Sequence, residues 1–371
     1  MTVWIQNPFD NLPSEGYRKQ RFWLMSEAFV AAGHRVVFWT SDFSHAKKRR
    51  RDQESGIGGH GFEVRLIKTL PYRKNVSWAR VRSHRAYARA WKRQASGCAA
   101  PDLIISSIPS ISGAEAALEL GRRFGSRVVV DVMDAWPETF ERLAPHGFQW
   151  LARLVLSPLR VRARRIYRAA DRVTGVCERY RSLTGRTDYH LAYHGIETGG
   201  RRPDADVRER RDEVRLVYAG TLGKTYDLET VIRAVRANRD FRLHVAGRWE
   251  GPAPERVILH GYLGQDDLDQ LLESCDVGVI PMDPDSWVGL PYKICDYAKA
   301  GLRIVSSLGG ESAALLDRYG CGAAYRPHDA DSLAAAVRLA MTLPRGASRK
   351  MCEETLDAAK IYSDYVKEVA K

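Results

Sequence analysis

The sequence predicts an α/β protein made of two doubly wound lobes that face one another across a cleft. Three observations predict it. A chain of 371 residues exceeds what one compact core holds and suits two. Short apolar runs of strand character alternate with amphipathic helical runs from start to finish. The alternation lapses once, over a charged stretch near residue 200, and then begins again.

Val3-Trp4-Ile5 is a short apolar strand. Residues 17–32 carry helical spacing through Phe22, Met25, Phe29 and Val30, and Gly33-His34 ends that helix before a strand over 35–40. This is a βαβ unit. Residues 62–67, 103–105 and 128–131 repeat the apolar strand, with a helix over 114–124, as parallel strands wrapped by helices require. From Gly199-Gly200-Arg201-Arg202-Pro203-Asp204 to Asp212 the apolar pattern stops, which predicts an interdomain connection. The second series places strands at 216–220, 241–246, 257–259, 277–280 and 304–306, and helices at 227–235, 268–274 and 293–299. Residues 348–369 have helical spacing in Met351, Leu356, Ile361, Tyr365 and Val369. The expected domains are 1–200, 213–345 and a closing helix within 346–371 that crosses back to the first lobe. Doubly wound sheets bind ligands at the carboxyl ends of their strands, so the cleft is the expected site.

Lys and Arg outnumber Asp and Glu by 58 to 45, and the net charge of +13 asks for an anionic neighbour: nucleic acid, an anionic bilayer or a phosphorylated substrate. Basic residues crowd the first half, in Lys47-Lys48-Arg49-Arg50-Arg51 and then Arg73, Lys74, Arg80, Arg82, Arg85, Arg89, Lys92 and Arg93. No helix-turn-helix spacing, zinc finger or RNP-like aromatic strand accompanies them, which disfavours nucleic acid. Cys98, Cys177, Cys275, Cys295, Cys321 and Cys352 show no C-x-x-C spacing and read as reduced packing residues. The absence of a long apolar run or a secretory signal sets the expectation of a cytoplasmic protein.

The segment richest in chemistry is Gly289-Leu290-Pro291-Tyr292-Lys293-Ile294-Cys295-Asp296-Tyr297-Ala298, running on through Gly301 and Arg303 to Val305. A glycine-containing loop entering a helix offers backbone N–H groups to an anion, and a carboxylate one turn later can grip a ribose diol. The plainer reading makes Lys293 and Asp296 the surface of an amphipathic helix. Earlier, Tyr218-Ala219-Gly220-Thr221-Leu222-Gly223-Lys224 takes a strand into a glycine turn, where small residues admit a pyrophosphate and a lysine meets its charge.

The first of these segments resembles the donor-binding signature of family 4 retaining glycosyltransferases, P-x-K-x-x-E-Y-x-A-x-G-x-P-V-V. Pro291, Lys293, Tyr297, Ala298, Gly301 and Val305 match it, while Asp296 stands in place of glutamate and Arg303 in place of proline. The family's earlier glutamate falls on Val288. The resemblance implies the GT-B fold, two facing Rossmann-like doubly wound lobes with an interdomain cleft. It also implies a nucleotide-sugar donor held by Gly220, Thr221, Gly223, Lys224, Gly247, Arg248, Gly289, Leu290, Pro291, Lys293 and Asp296. No cofactor or metal is expected, and Asp283-Pro284-Asp285 reads as loop solvation rather than a metal clamp.

In the N-terminal lobe, Asp131-Val132-Met133-Asp134-Ala135-Trp136-Pro137-Glu138 is similar to a stretch in family members that build bacterial lipopolysaccharide and capsule repeats. Met133 stands where many relatives have histidine. The resemblance places Glu15, Gly16, Arg21 and Asp134 at the acceptor, and Asp134, Glu138, Lys224 and Lys293 in the chemistry; a helix cap at Asp134 and a core Trp136 is the alternative. Phe148-Gln149-Trp150-Leu151-Ala152-Arg153-Leu154-Val155-Leu156, followed by Arg160, Arg162, Arg164, Arg165 and Arg168, combines an apolar face with arginines. It reads either as a membrane-interface helix or as a helix packed on its domain.

Together these imply a retaining glycosyltransferase acting on a glycan acceptor linked to polyprenyl diphosphate, peripheral at the inner face of the plasma membrane, with no nucleic acid partner. A nucleotide-sugar epimerase of GT-B architecture and a non-enzymatic basic-surface binding protein are the rivals. The absence of an early G-x-G-x-x-G disfavours a dehydrogenase.

Overall fold

The structure, a computed structural model, describes residues 1–52, 56–57, 60–144, 147–199, 212–220, 223, 225–283 and 286–371. They form two compact units, Met1–Tyr193 with Ala359–Lys371, and His194–Ala358.

The first unit is built on β1 (Thr2–Gln6), β2 (Arg35–Ser41), β3 (Phe43–Ser44), β4 (Arg49–Arg50), β5 (Gly56–Ile57), β6 (Glu63–Ile67), β7 (Leu103–Ile108), β8 (Arg127–Val132), β9 (Arg172–Gly175) and β10 (His190–Leu191). Eight of them make one sheet in the order β10-β9-β8-β7-β1-β2-β6-β5, and β3 pairs antiparallel with β4 as a separate hairpin. The sheet is parallel apart from its β5 edge. Its middle strands are buried along their length, as helix-covered parallel strands are; in β7 every residue is buried. The helices are α1 (Arg21–Ala31), α2 (Trp78–Ala95), α3 (Ile111–Phe124), α4 (Gln149–Ala169) and α5 (Arg179–Thr184), with 3-10 turns at Pro13–Glu15 and Glu138–Leu143.

Helix α1 begins at Arg21 rather than at residue 17. Gln20 is extended and its side chain accepts from the Asn11 N–H at 2.9 Å, while the Asp10 carboxylate accepts from Phe22 N–H at 3.2 Å. The helix start is therefore satisfied from outside.

The second unit carries a six-stranded parallel sheet of β11 (Val214–Ala219), β12 (Phe241–Ala246), β13 (Val257–Gly261), β14 (Val277–Ile280), β15 (Arg303–Ser306) and β16 (Gly322–Ala324), ordered β13-β12-β11-β14-β15-β16. Around it lie α6 (Leu228–Ala237), α7 (Gln265–Ser274), α8 (Lys293–Lys299), α9 (Gly310–Arg318), α10 (Ala330–Thr342) and α11 (Ala347–Thr355). Asp227 caps α6 by accepting from Thr230 N–H at 3.1 Å, and Asp329 caps α10 through Ser332 N–H at 2.8 Å.

The single helix expected over 348–369 is two, α11 and α12 (Ala358–Val369). Between them the backbone of Leu356 and Ala358 pairs with Ile196, at 2.9 and 3.0 Å, in a bridge centred on Asp357. Those groups cannot also close helical turns. Most of α12 belongs to the first unit, where Tyr362, Tyr365, Val366 and Val369 are buried and Arg172 pairs with Glu368. Among the described residues no helix is long and apolar enough to cross a membrane.

Candidate functional site

In the second unit, β11, β12 and β13 end side by side on glycines. Gly220 N–H donates to Ala246 O at 2.8 Å, and Gly247 N–H donates to Gly261 O at 2.7 Å. Gly220 has φ +132° and Gly247 φ +154°. A Cβ on Gly247 would lie 2.3 Å from Gly220 O, and a Cβ on Gly220 would lie 2.5 Å from the Lys293 ammonium. Only bare backbone allows both approaches. Lys293 thus arrives from the first residue of α8 onto the turn after β11. Its Nζ sits 4.3 Å from the centre of the Tyr226 ring and 4.9 Å from that of Tyr218, within cation–π range.

The seat is braced from below. Tyr297 OH accepts from Ala219 N–H at 3.0 Å, and a Cβ on Gly278 would meet the Tyr297 ring at 2.4 Å. Tyr226 bridges to Met282, and Asp283 N–H donates to Thr225 O at 3.0 Å, so backbone pairing ties the loops after β11 and β14 together. Ser312 Oγ donates to Gly289 O at 2.6 Å, and Leu290 and Pro291 are buried beneath.

Of the proposed donor residues, Gly220, Gly247 and Lys293 come together. Asp296 lies half-buried one helical turn past Lys293, and Gly223 accepts from Tyr226 N–H at 3.0 Å. Arg248 projects into solvent, 3.7 Å from an equally exposed Glu250. Thr221, Lys224 and Asp285 lie outside the described residues, as does most of the connection at 199–212. Among the described residues no group of three or more His, Cys, Asp or Glu could hold a metal ion.

In the first unit, Asp134 follows β8. Its carboxylate accepts from Trp136 Nε1 at 3.1 Å and Thr139 Oγ1 at 3.2 Å, and burial raises its pKa above the usual carboxylate range. The Trp136–Pro137 peptide is cis. Glu138, four residues on, is also raised by burial and pairs with Arg160 at 3.4 Å.

Two residues assigned to the acceptor are committed elsewhere. Arg21 is fully buried: its guanidinium forks onto Asp131 at 2.9 and 2.7 Å and donates to Ala192 O and Tyr193 O at 2.9 and 2.8 Å. Glu15 accepts from Leu12 N–H and Arg51, both at 2.9 Å, with Gly16 in the left-handed turn beside it. The run 47–51 is likewise only partly surface: Arg51 is buried on Glu15, and Arg50 pairs with Asp42.

The segment Leu70-Pro71-Tyr72-Arg73-Lys74-Asn75 followed by Arg80, which resembles the same polysaccharide-building subgroup, joins a cluster at the same edge of the sheet whose Phe9, His45 and His84 the sequence did not single out. Phe9, His45, Tyr72, Arg80, His84 and Trp136 converge from after β1, β3, β6 and β8 and from α2. The Arg80 guanidinium lies over Trp136 at 4.6 Å and Phe9 at 5.4 Å, and its Nε meets His84 Nε2 at 3.3 Å. His45 Nδ1 is 2.5 Å from Tyr72 OH and 3.3 Å from Lys48 Nζ. Burial, reinforced by the nearby cations, pushes His45 and His84 down to about 3, so both are neutral. The spread from position 9 to 136 keeps the meeting of these residues out of any local window.

Residues 19–189 match the family model of the glycosyl transferase 4-like domain, and residues 207–342 match the model of glycosyl transferases group 1. Among solved structures, sucrose-phosphate synthase from Thermosynechococcus elongatus is similar at 14% identity, covering 100% of this chain and 98% of that one, with a TM-score of 0.75. Anabaena HepE in complex with UDP-glucose is 12% identical over 100% and 99%, with a TM-score of 0.66. The lipopolysaccharide outer core galactosyltransferase WaaB is 11% identical over 100% and 99%, with a TM-score of 0.61. At these identities the likeness is one of fold. No curated protein sequence matches the chain.

Proposed function

Since the chain is a glycosyltransferase of GT-B fold that takes its sugar from a nucleotide donor, we propose that the second unit grips that donor's diphosphate between Lys293, Lys224 and the glycine turn at Gly220. The observation that carries this reading is the Lys293 ammonium seated against a turn that has no side chain in the way. As the bond to the anomeric carbon breaks, negative charge grows on the leaving phosphate, and a preset cation there lowers the barrier. Asp296, one turn along α8, receives the ribose hydroxyls. The transfer proceeds with retention and without a metal, the leaving phosphate taking the proton of the acceptor hydroxyl. Asp134 and Glu138 orient that hydroxyl.

The acceptor is a glycan carried on polyprenyl diphosphate, and the reaction belongs to bacterial surface polysaccharide synthesis. Helix α4 supports a membrane-borne acceptor. Trp150, Leu154 and Val155 stand in solvent at 64, 64 and 67% exposure along one stripe, with Phe148 and Leu151 beside them. Farther along, Arg164, Arg165 and Arg168 are exposed and have no ion-pair partner among the described residues. Such a helix lies in an anionic bilayer interface, at the inner face of the plasma membrane.

A thermal-shift series with UDP, GDP, ADP, dTDP and NAD tests the donor site. One nucleoside diphosphate should raise the wild-type melting temperature and leave Lys293→Ala and Asp296→Ala unmoved. No shift with any of them removes the donor assignment. Incubating the nucleotide-sugar with and without a lipid-linked acceptor separates transfer from interconversion of the sugar alone.

A further inference from the structure

The loops at the carboxyl edge of the first sheet hold several cations, and most of them are neutralised. Arg21 has Asp131, Arg50 has Asp42 and Arg51 has Glu15. Lys48 and Arg80 differ. They share one neutral residue, Asn75, whose Oδ1 accepts from Lys48 Nζ at 2.5 Å and whose backbone O accepts from Arg80 Nη1 at 2.9 Å. Their other ring and side-chain neighbours are His45, Tyr72, His84, Phe9 and Trp136. Among the described residues neither forms an ion pair with a carboxylate, and the Asp134 carboxylate acts on Arg80 from beyond ion-pair distance.

Two like charges held together among aromatic rings and neutral imidazoles, with one carboxylate beyond ion-pair distance of Arg80, cost free energy unless an anion joins them. The cost is visible at Lys48, whose ammonium is pushed down to about 8 by burial and by Arg80. Its backbone is held in the left-handed region at φ +53°, uncommon for a lysine and set by the turn between β3 and β4. The chain beside Asn75 is apolar and open: Val76 is 60% exposed and Trp78 82%. Trp78 opens α2 and Arg80 lies in its first turn, capped by Ser77. A paired cation beside a bare apolar turn suits a ligand with an anionic head and an apolar tail. Lysine and arginine side by side are the usual donors to phosphate oxygens.

We propose that Lys48, Arg80 and Tyr72 form a subsite for the phosphate group that joins the acceptor's glycan to its lipid, with Val76 and Trp78 against the lipid chain. This rests on the lipid-linked acceptor proposed above. The anion neutralises both cations, Arg80 stays fixed by its stack on Trp136, and the glycan end is held near Asp134, whose side chain bonds that same indole.

Binding of farnesyl diphosphate and of inorganic pyrophosphate, each titrated calorimetrically with the nucleoside diphosphate that shifts the melting temperature held at saturation so that the donor site is filled, tests the subsite. Farnesyl diphosphate should bind the wild type. Arg80→Gln and Lys48→Gln should each weaken it about tenfold or more, and Arg80→Lys by less, while the nucleotide's thermal shift and the circular dichroism spectrum stay unchanged. Trp78→Ser should weaken farnesyl diphosphate and leave pyrophosphate alone. Binding that is absent from the wild type, or within about twofold in both Gln variants, overturns the subsite. Equal affinity for the two ligands, unmoved by Trp78→Ser, overturns the lipid as its source and leaves a soluble phosphate. If none of the nucleoside diphosphates binds while Arg80→Gln still weakens farnesyl diphosphate, the donor assignment fails and the subsite stands.

Discussion

Replacing Arg21 by methionine distinguishes an architectural arginine from one that binds the acceptor. Both partners of the Arg21–Asp131 pair are fully buried, and the guanidinium makes four hydrogen bonds between 2.7 and 2.9 Å. Tyr362 and Tyr365 of α12 flank it at 5.7 and 5.9 Å. Methionine fills much of the volume but leaves Asp131 with the Thr174 hydroxyl at 2.6 Å and strands the carbonyls of Ala192 and Tyr193. Breaking such a pair from one side costs about 3–5 kcal/mol, because a desolvated charge remains. For a folding unit of about 200 residues, each kcal/mol lowers Tm by roughly 2–4 °C, which puts the expected fall at about 6–20 °C. The double variant Arg21→Met with Asp131→Leu should recover much of it, since no charge is left behind. Scanning calorimetry reads the stability, and steady-state kinetics well below the lowered Tm read the acceptor KM, which should stay as in the wild type. A melting temperature within about 2 °C of wild type together with a raised acceptor KM would refute this reasoning and return Arg21 to the acceptor.

Three further outcomes are expected. Gly220→Ala should lower the melting temperature, because φ +132° strains a residue with a Cβ, and at temperatures where it is folded it should weaken the nucleotide about tenfold or more by displacing the Lys293 ammonium, as titration calorimetry would show. Asp10, buried and pushed up to about 7 by desolvation, carries a folded-state pKa above its ordinary value. Its contribution is therefore full below about pH 4 and is lost as pH rises through about 7, by up to of order 4 kcal/mol. Urea midpoints of the wild type should fall between pH 5 and pH 8, and Asp10→Asn should flatten that slope. Trp150→Ser with Leu154→Ser should reduce cosedimentation with anionic vesicles several-fold and leave transfer to a soluble acceptor analogue intact, because both side chains face solvent.

The sequence by itself determined the alternation of strand and helix and the two parallel sheets, because strand and helix periods are local properties of neighbouring side chains. The strands at 241–246 and 277–280 and the helix at 293–299 stand where periodicity put them. What it could not determine is which distant residues meet. Lys293 reaches Gly220 because β14 lies beside β11 in the sheet, a neighbour relation no window of residues contains. The family resemblance places Arg21 at the acceptor, and only the packing of β8 and α12 around it shows its partner 110 positions away. The terminal helix broke in two because Ile196 claimed the backbone of Leu356 and Ala358. Lys48 stands in the run 47–51 and Arg80 among the later basic residues, and it is the hairpin of β3 and β4 and the start of α2 that set them on one asparagine. Local propensity chooses elements; burial and the pairing of polar groups across long separations choose their partners, and those costs exist only once the tertiary structure has excluded water.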